Sequence, residues 1–502
     1  MAQILSLQPV QKRAYALDAL RGIAILLMIL SSQQPFGKLP RWMFHAQSPP
    51  PTHAFNPAVT GITWVDLVFP FFIFAMAVAF PLALSKKITS QKISTLVCKS
   101  IKRGFILLAF AIYNRHMNPR VISSDPSTDV WLFAIFAFLL MIPMWARLPW
   151  ALTQKTKKII KFSAWIIAAL TLTFIKYPDG TGFSLFRNNI ILFVLADLAV
   201  FGSIIWLLTR NNINLRLGIL AVLLAIKLSF TIDPSWIHTI GSTVDIPFIA
   251  PLIKNAFADK YAHLTRWMYD YTWFFQWRFL KYLFIAIPAT IIGDLLTKWM
   301  THTTPDSNTP RWSKTRLAAI ALLMLTIIIT SLSGLLARLS LITFITVSLL
   351  SLIALFLLKT PKTPDEKLIS KMFQWAFFWL TLGFLFEPFE NGIKKDPSTI
   401  SYYFITTALA ICTLIALIII IDIMKKQKIM SILIDNGQNP MIAYAGASNL
   451  LNPILALIGL RPLLNTFYAQ NPWPGFAVSL TLTILLALIV QQFTRKKIFL
   501  RT

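Results

Sequence analysis

About fourteen apolar runs, most of them long enough to cross a bilayer as helix, recur along this 502-residue chain with short segments between them. A hydrocarbon core of about 30 Å needs roughly 20 helical residues. Lipid offers no hydrogen-bond partner to an open backbone, so runs of this length in series can only be helices. They lie near 15–31, 64–84, 103–115, 131–146, 159–176, 190–209, 215–230, 281–299, 316–335, 340–358, 372–388, 401–424, 440–459 and 474–494. The third and seventh are short, which suggests tilt or re-entry. The expected fold is all-α: one polytopic integral membrane bundle over residues 1–502 with about 11–14 transmembrane helices.

Charge then orients the bundle. The chain has 47 Lys+Arg against 19 Asp+Glu, a net charge of +28, yet only 13% of it is charged and 56% is hydrophobic. A basic soluble domain of this charge would point to nucleic acid. Here the cations sit in loops between spans, which excludes that reading and invokes the positive-inside rule. With the N-terminus inside, the inner segments hold 30 Lys/Arg and the outer ones 15. Both termini are therefore expected in the cytoplasm. The first 14 residues are polar and end in Lys12-Arg13, and no small-residue cleavage site follows, so no signal peptide is expected. Two cysteines, Cys98 and Cys412, are too few for a disulfide framework or a cysteine metal site.

Two outer segments, near 32–63 and 231–280, exceed a simple connection, and long loops in a membrane bundle are usually functional. The first contains His45 and His53 and runs into Asp66 at the head of the second span. A carboxylate can fix an imidazole in one tautomer and strengthen it as a base. No HxxxH, HxxE or Cys/His cluster accompanies these histidines, so no metal is expected. The second segment is rich in Trp and Tyr, which fits an outer binding surface or an interfacial belt equally well. Ionisable residues within spans are costly in lipid and mark Asp18, Arg21, Asp197, Asp294 and Glu387 for attention. Asp18 and Arg21 lie three apart on one helix face. They either pair with each other or leave the arginine free for a phosphate at the inner membrane face.

The stretch Leu17-Asp18-Ala19-Leu20-Arg21-Gly22, then Met43-Phe44-His45-Ala46, then Gly61-Ile62-Thr63-Trp64-Val65-Asp66-Leu67-Val68-Phe69-Pro70-Phe71-Phe72, carries a specific pattern. It resembles the start of the heparan-alpha-glucosaminide N-acetyltransferase family, within the wider transmembrane acyltransferases. Asp435-Asn436-Gly437-Gln438-Asn439-Pro440 is similar to that family's Gly-x-Asn turn, and Lys394-Lys395-Asp396-Pro397-Ser398-Thr399 is a looser echo of its lysine-containing outer loop. The resemblance implies an enzyme of the bacterial cytoplasmic membrane. It would pass acetyl from cytosolic acetyl-CoA to an amino sugar or glycan on the outer side. His45 would be the active-site histidine, with Asp66 beside it and His53, which also precedes an alanine, in reserve. Arg21, Asp18, Arg103 and Asn439 would serve the CoA side. The bilayer and a homodimeric partner complete the expected set. The runner-up is a transporter or flippase for a glycan or lipid-linked sugar, which the intramembrane acids would suit.

Overall fold

Each apolar run of the sequence lies on a helix. The computed structural model describes residues 13–37, 39–146, 152–185, 187–230, 235–236, 280–301, 311–470 and 472–501. Nearly all of the second long outer segment, 231–280, lies outside them, as do His238, His263 and His302. The long helices are α1 (Tyr15–Gln33), α2 (Trp64–Ile88), α3 (Ile93–His116), α4 (Thr128–Trp145), α5 (Gln154–Phe174), α6 (Ile190–Thr209) and α7 (Ile213–Phe230). They continue as α8 (Leu283–Thr301), α9 (Lys314–Leu336), α10 (Ser340–Leu357), α11 (Pro364–Phe389) and α12 (Ile400–Leu417), which runs on as a wider turn through Ile423. The eight-residue α13 (Ser431–Gln438) precedes α14 (Pro440–Leu457), α15 (Leu460–Gln470) and α16 (Pro472–Arg495). The described residues form no strand, only an isolated bridge between Ala146 and Leu500.

The protein is an all-α polytopic membrane bundle. Ten described helices are long and apolar enough to cross a bilayer, and α14 with α15, bent by 107°, raises the number to eleven. The third run proves to be the second half of a 24-residue helix. Lys99, Lys102 and Arg103 interrupt the apolar signal of α3 without breaking its backbone. α12 sits at the centre, with 89% of its apolar window buried, whereas α10 has only 22% buried and faces outward.

Glycines in the two motifs set how closely helices cross. A Cβ on Gly22 of α1 would lie 1.9 Å from the Leu433 carbonyl oxygen of α13. One on Gly437 would lie 1.7 Å from the Asp18 carbonyl oxygen. The crossing is backbone against backbone, and it holds the α13 end of the chain against α1. α1 then carries Arg21 near one end of the bundle and delivers the 34–63 loop at the other.

Candidate functional site

The start of α2 is built by its own sequence. Thr63 is the N-cap and Asp66 the third helical residue, so the two form a reciprocal capping box that satisfies open N–H groups. Asp66 Oδ2 accepts from the backbone N–H of Thr63 (3.0 Å) and of Ala46 (3.2 Å). The Thr63 hydroxyl donates to the Phe44 carbonyl at 2.7 Å. One carboxylate therefore caps the helix and fastens the loop that bears His45. The other oxygen, Oδ1, lies 2.7 Å from His45 Nδ1. An ionised carboxylate only accepts, so Nδ1 carries the proton and the lone pair is left on Nε2.

A third group comes from far along the chain. Lys395 Nζ lies 3.0 Å from His45 Nδ1, 3.2 Å from Nε2 and 3.8 Å from Asp66 Oδ1. Gly61 makes this approach feasible. Its N–H donates to the Ile393 carbonyl at 2.8 Å, and at φ +111° it adopts backbone that favours glycine. Gly392, at φ +108°, crosses so close to Thr60 that a Cβ would meet that side chain at 2.6 Å. Glu390 holds the start of α12 by accepting from the N–H of Ile400 (2.6 Å) and Ser401 (2.8 Å), and the Tyr402 hydroxyl donates to the Asp66 carbonyl at 2.8 Å. Asp66 is fully buried while the His45 side chain keeps 43% of its surface open. The cluster thus has a rigid buried acid and an accessible imidazole. Burial pulls Lys395 below the ordinary lysine range, against the opposing pull of Asp66 and Asp396.

His53 is placed differently. Its Nε2 accepts from the Gly37 N–H at 2.7 Å and its Nδ1 lies 3.1 Å from the Ser48 carbonyl, so both nitrogens are occupied within the loop. Its ring packs edge-on against Phe36 and Phe44, and its backbone is left-handed at φ +53°. It braces the loop and is not brought to Asp66.

The residues expected on the CoA side gather at the opposite end of α1. Arg21 donates to the carbonyls of Gly437 (3.2 Å) and Ala75 (3.3 Å) and pairs loosely with Asp18 at 3.4 Å. Asp18 is held more tightly by Arg13 at 2.9 Å. Arg21, Arg103 and Arg501 line a cavity of about 340 Å³ that Gln438 and Tyr444 also border. Arg103 Nε is buried there without a hydrogen-bond partner among the described residues. Asn439 is used structurally: its side chain donates to the Ile498 carbonyl at 2.6 Å and accepts from the Leu500 N–H at 3.3 Å, tethering the C-terminal segment.

Two more cavities extend this one. The second, about 230 Å³, shares Met28, Ile191 and Tyr444 with the arginine-lined cavity. The third, about 400 Å³, shares Ser32, Asn118, Ala447 and Ser448 with the second and reaches the end of the bundle where His45 sits. None of the three is lined by His45, Asp66 or Lys395. The third cavity approaches their loop through Gln34, whose side chain donates to the Met43 carbonyl. Among the described residues no group of three or more His, Cys, Asp or Glu is placed to hold a metal ion.

Lys395 is the member of this site that motif spacing left outside the residues singled out for chemistry. Its signal was the stretch Lys394–Thr399, which the sequence offered only as a loose echo of a lysine-containing loop. Residues 13–249 match a family model described as a domain of unknown function (DUF5009). That segment contains Asp18, Arg21, His45, His53, Asp66 and Arg103 but ends before Lys395 and Asn439. No curated protein matches the chain.

Proposed function

We propose that the chain is an acetyltransferase that takes acetyl from acetyl-CoA on the cytosolic side and passes it to a sugar amine or hydroxyl on the outer side of a bacterial cytoplasmic membrane. The observation that carries this reading is the pairing of His45 Nδ1 with buried Asp66 at 2.7 Å, beside Lys395. In this scheme the Nε2 lone pair of His45 takes the proton of the acceptor as it attacks the thioester carbonyl. The Lys395 ammonium faces the oxyanion that develops. The carbon–sulfur bond then breaks, and the proton returns from His45 to the departing CoA sulfur. A thioester is already activated, so positioning and one base suffice. Arg21, Arg103 and Arg501 supply cations for CoA phosphates, and the linked cavities offer its thin pantetheine arm a course toward the His45 end.

The linked cavities also suit the second reading, a transporter for a glycan or lipid-linked sugar, and Asp197 adds to it. Asp197 is fully buried in α6, with both carboxylate oxygens unpartnered among the described residues. The two readings separate on whether acetyl-CoA is consumed.

Arg21→Ala should weaken CoA binding roughly tenfold to a hundredfold, the loss of one charged hydrogen bond worth about 1.5–3 kcal/mol. Calorimetric titration of the folded variant with CoA measures it. Unchanged affinity would leave Arg21 as a strut between α1, α2 and α13.

The alkaline limb of transfer should follow Lys395. Its value lies below the ordinary lysine range, so its charge is lost as pH rises through that lowered value, and transfer falls with it. Lys395→Arg keeps its charge at any pH tested, so the fall should move to higher pH. An identical pH profile in wild type and variant would remove the ammonium from the reaction.

Membrane sidedness is tested in a chain lacking the exposed Cys98. A membrane-impermeant thiol reagent applied to intact cells should label Ser48→Cys and miss Ser90→Cys. The reverse labelling would invert the direction of transfer.

A further inference from the structure

The paired helices α9 and α10 face outward, with only 39% and 22% of their apolar windows buried. At one end they lock together: a Cβ on Gly334 of α9 would lie 1.9 Å from the Thr343 hydroxyl oxygen of α10. At the other end, where α9 begins and α10 stops, the pair leaves a fourth cavity of about 590 Å³. α11 starts soon after α10 and runs to the turn that brings Lys395 to His45, so this cavity lies at the end of the bundle away from His45. Positive-inside counting reads that end as cytoplasmic.

The lining has a charged part and an apolar part. Arg316 and Lys359 supply the charge, Ser313 and Thr315 two hydroxyls, and Ala319 and Phe356 an apolar surface. Leu322 on α9 and Leu352 and Ile353 on α10, all exposed, continue that surface at helical spacing along the outward face. Cations at a helix end usually snorkel freely into water. Arg316 is fixed instead. Its Nε donates to the Leu357 carbonyl and its Nη2 to the Lys359 carbonyl, both at 2.8 Å, and its guanidinium lies over the Trp312 ring at 4.5 Å. These bonds close carbonyls left open at the end of α10 and leave Nη1 without a partner among the described residues. Lys359 Nζ lies over the Phe356 ring at 4.9 Å. Neither cation forms an ion pair among the described residues. The acids that follow in sequence are engaged elsewhere. Asp365 accepts from the Trp299 indole at 2.7 Å, and Glu366 accepts from the N–H groups of Trp312 and Lys362, each at 2.7 Å.

A fixed positive charge beside an apolar groove selects its occupant. Inorganic phosphate would answer the cations and leave the groove bare. A zwitterionic lipid would bring its own ammonium into a cluster that is already positive. A lipid with a net negative headgroup answers both parts, its phosphate oxygens matching the guanidinium fork and its chains covering the leucines. Basic pockets between transmembrane helices on the cytoplasmic side are the usual setting for such headgroups. We propose that this cavity binds an anionic glycerophospholipid of the cytoplasmic leaflet. Arg316 and Lys359 hold its phosphate, the Ser313 and Thr315 hydroxyls face its glycerol, and an acyl chain lies along Ala319, Leu322 and Phe356. The site stands or falls independently of acetyl transfer.

Native mass spectrometry of the full-length protein, titrated in detergent with phosphatidylglycerol or phosphatidylcholine of identical chains, tests this. Phosphatidylglycerol should bind at least about tenfold more tightly, since each surface cation contributes roughly fivefold. Lys359→Gln should lower its affinity about fivefold, and Lys359→Gln combined with Arg316→Gln should bring it to the level of phosphatidylcholine. Ala319→Trp fills the groove and keeps both charges; it should lower the affinity as well, and it serves if the double variant does not fold. Lys87→Gln, at the same face on the exposed end of α2, should leave the affinity unchanged. Equal binding of the two lipids would overturn the inference. An equal loss with Lys87→Gln and Lys359→Gln would overturn it in favour of diffuse attraction to a basic face. Displacement of the lipid by millimolar glycerophosphoglycerol, the same headgroup without chains, would overturn it in favour of a site for soluble phosphates.

Discussion

Replacing His45 by alanine should cut acetyl transfer by about 10²–10⁴-fold, the usual worth of a positioned general base, while the protein still folds and still binds CoA. The structure supplies the reason the fold survives. Asp66 keeps its bonds to the Thr63 and Ala46 N–H groups and its cap on α2 whether or not the imidazole is present. The Lys395 ammonium also stays within 3.8 Å of it, so the buried carboxylate is not left alone. His53→Ala should behave in the opposite way. It removes the contacts with Gly37 and Ser48 and should lower the melting temperature of the loop region more than the rate per folded molecule. Initial rates and thermal melts of the two variants side by side measure this. A dead His53→Ala with an active His45→Ala would transfer the chemistry to the other histidine, and two active variants would favour the transporter.

Gly437→Ala should be the most damaging small substitution in the chain. Overpacking usually costs about 1–3 kcal/mol and occasionally more. Here the added methyl would lie 1.7 Å from a backbone oxygen and 2.8 Å from the Gly22 nitrogen, so no side-chain adjustment relieves it. α1 and α13 must separate, taking the Arg21 bond to the Gly437 carbonyl with them. Thermal unfolding in detergent should show a clear loss for Gly437→Ala and none for Gly218→Ala, where a Cβ meets nothing within 4 Å. Equal stability of the two would mean that the α1–α13 crossing is looser than drawn.

Much of the architecture was legible because lipid imposes a length and an apolarity on every crossing. The runs near 64–84 and 401–424 fall on α2 and on α12 with its extension for that reason. α3 was only half legible, since lysines at its start look like loop to a reading based on apolarity. α13 was hidden because its eight residues are set by the glycine crossing with α1, which has no periodic signature. In the site, the capping box of Thr63 and Asp66 is a local pattern and could be read from four consecutive residues. Lys395 meets His45 across 350 positions, and nothing local encodes that. It depends on Gly61 and Gly392 admitting one loop to another. The role of Asn439 was equally invisible, because its partners are the carbonyl of Ile498 and the N–H of Leu500.

The central claim is that acetyl leaves CoA on one side and arrives on a sugar at the other. Sealed inverted vesicles containing the protein, with labelled acetyl-CoA outside and a glucosamine-terminated oligosaccharide trapped inside, test it most directly. The account predicts label on the trapped sugar, one free CoA thiol outside for each acetyl transferred, and neither with His45→Ala. Release of the trapped sugar without acetyl-CoA, and with no thiol formed, would contradict it.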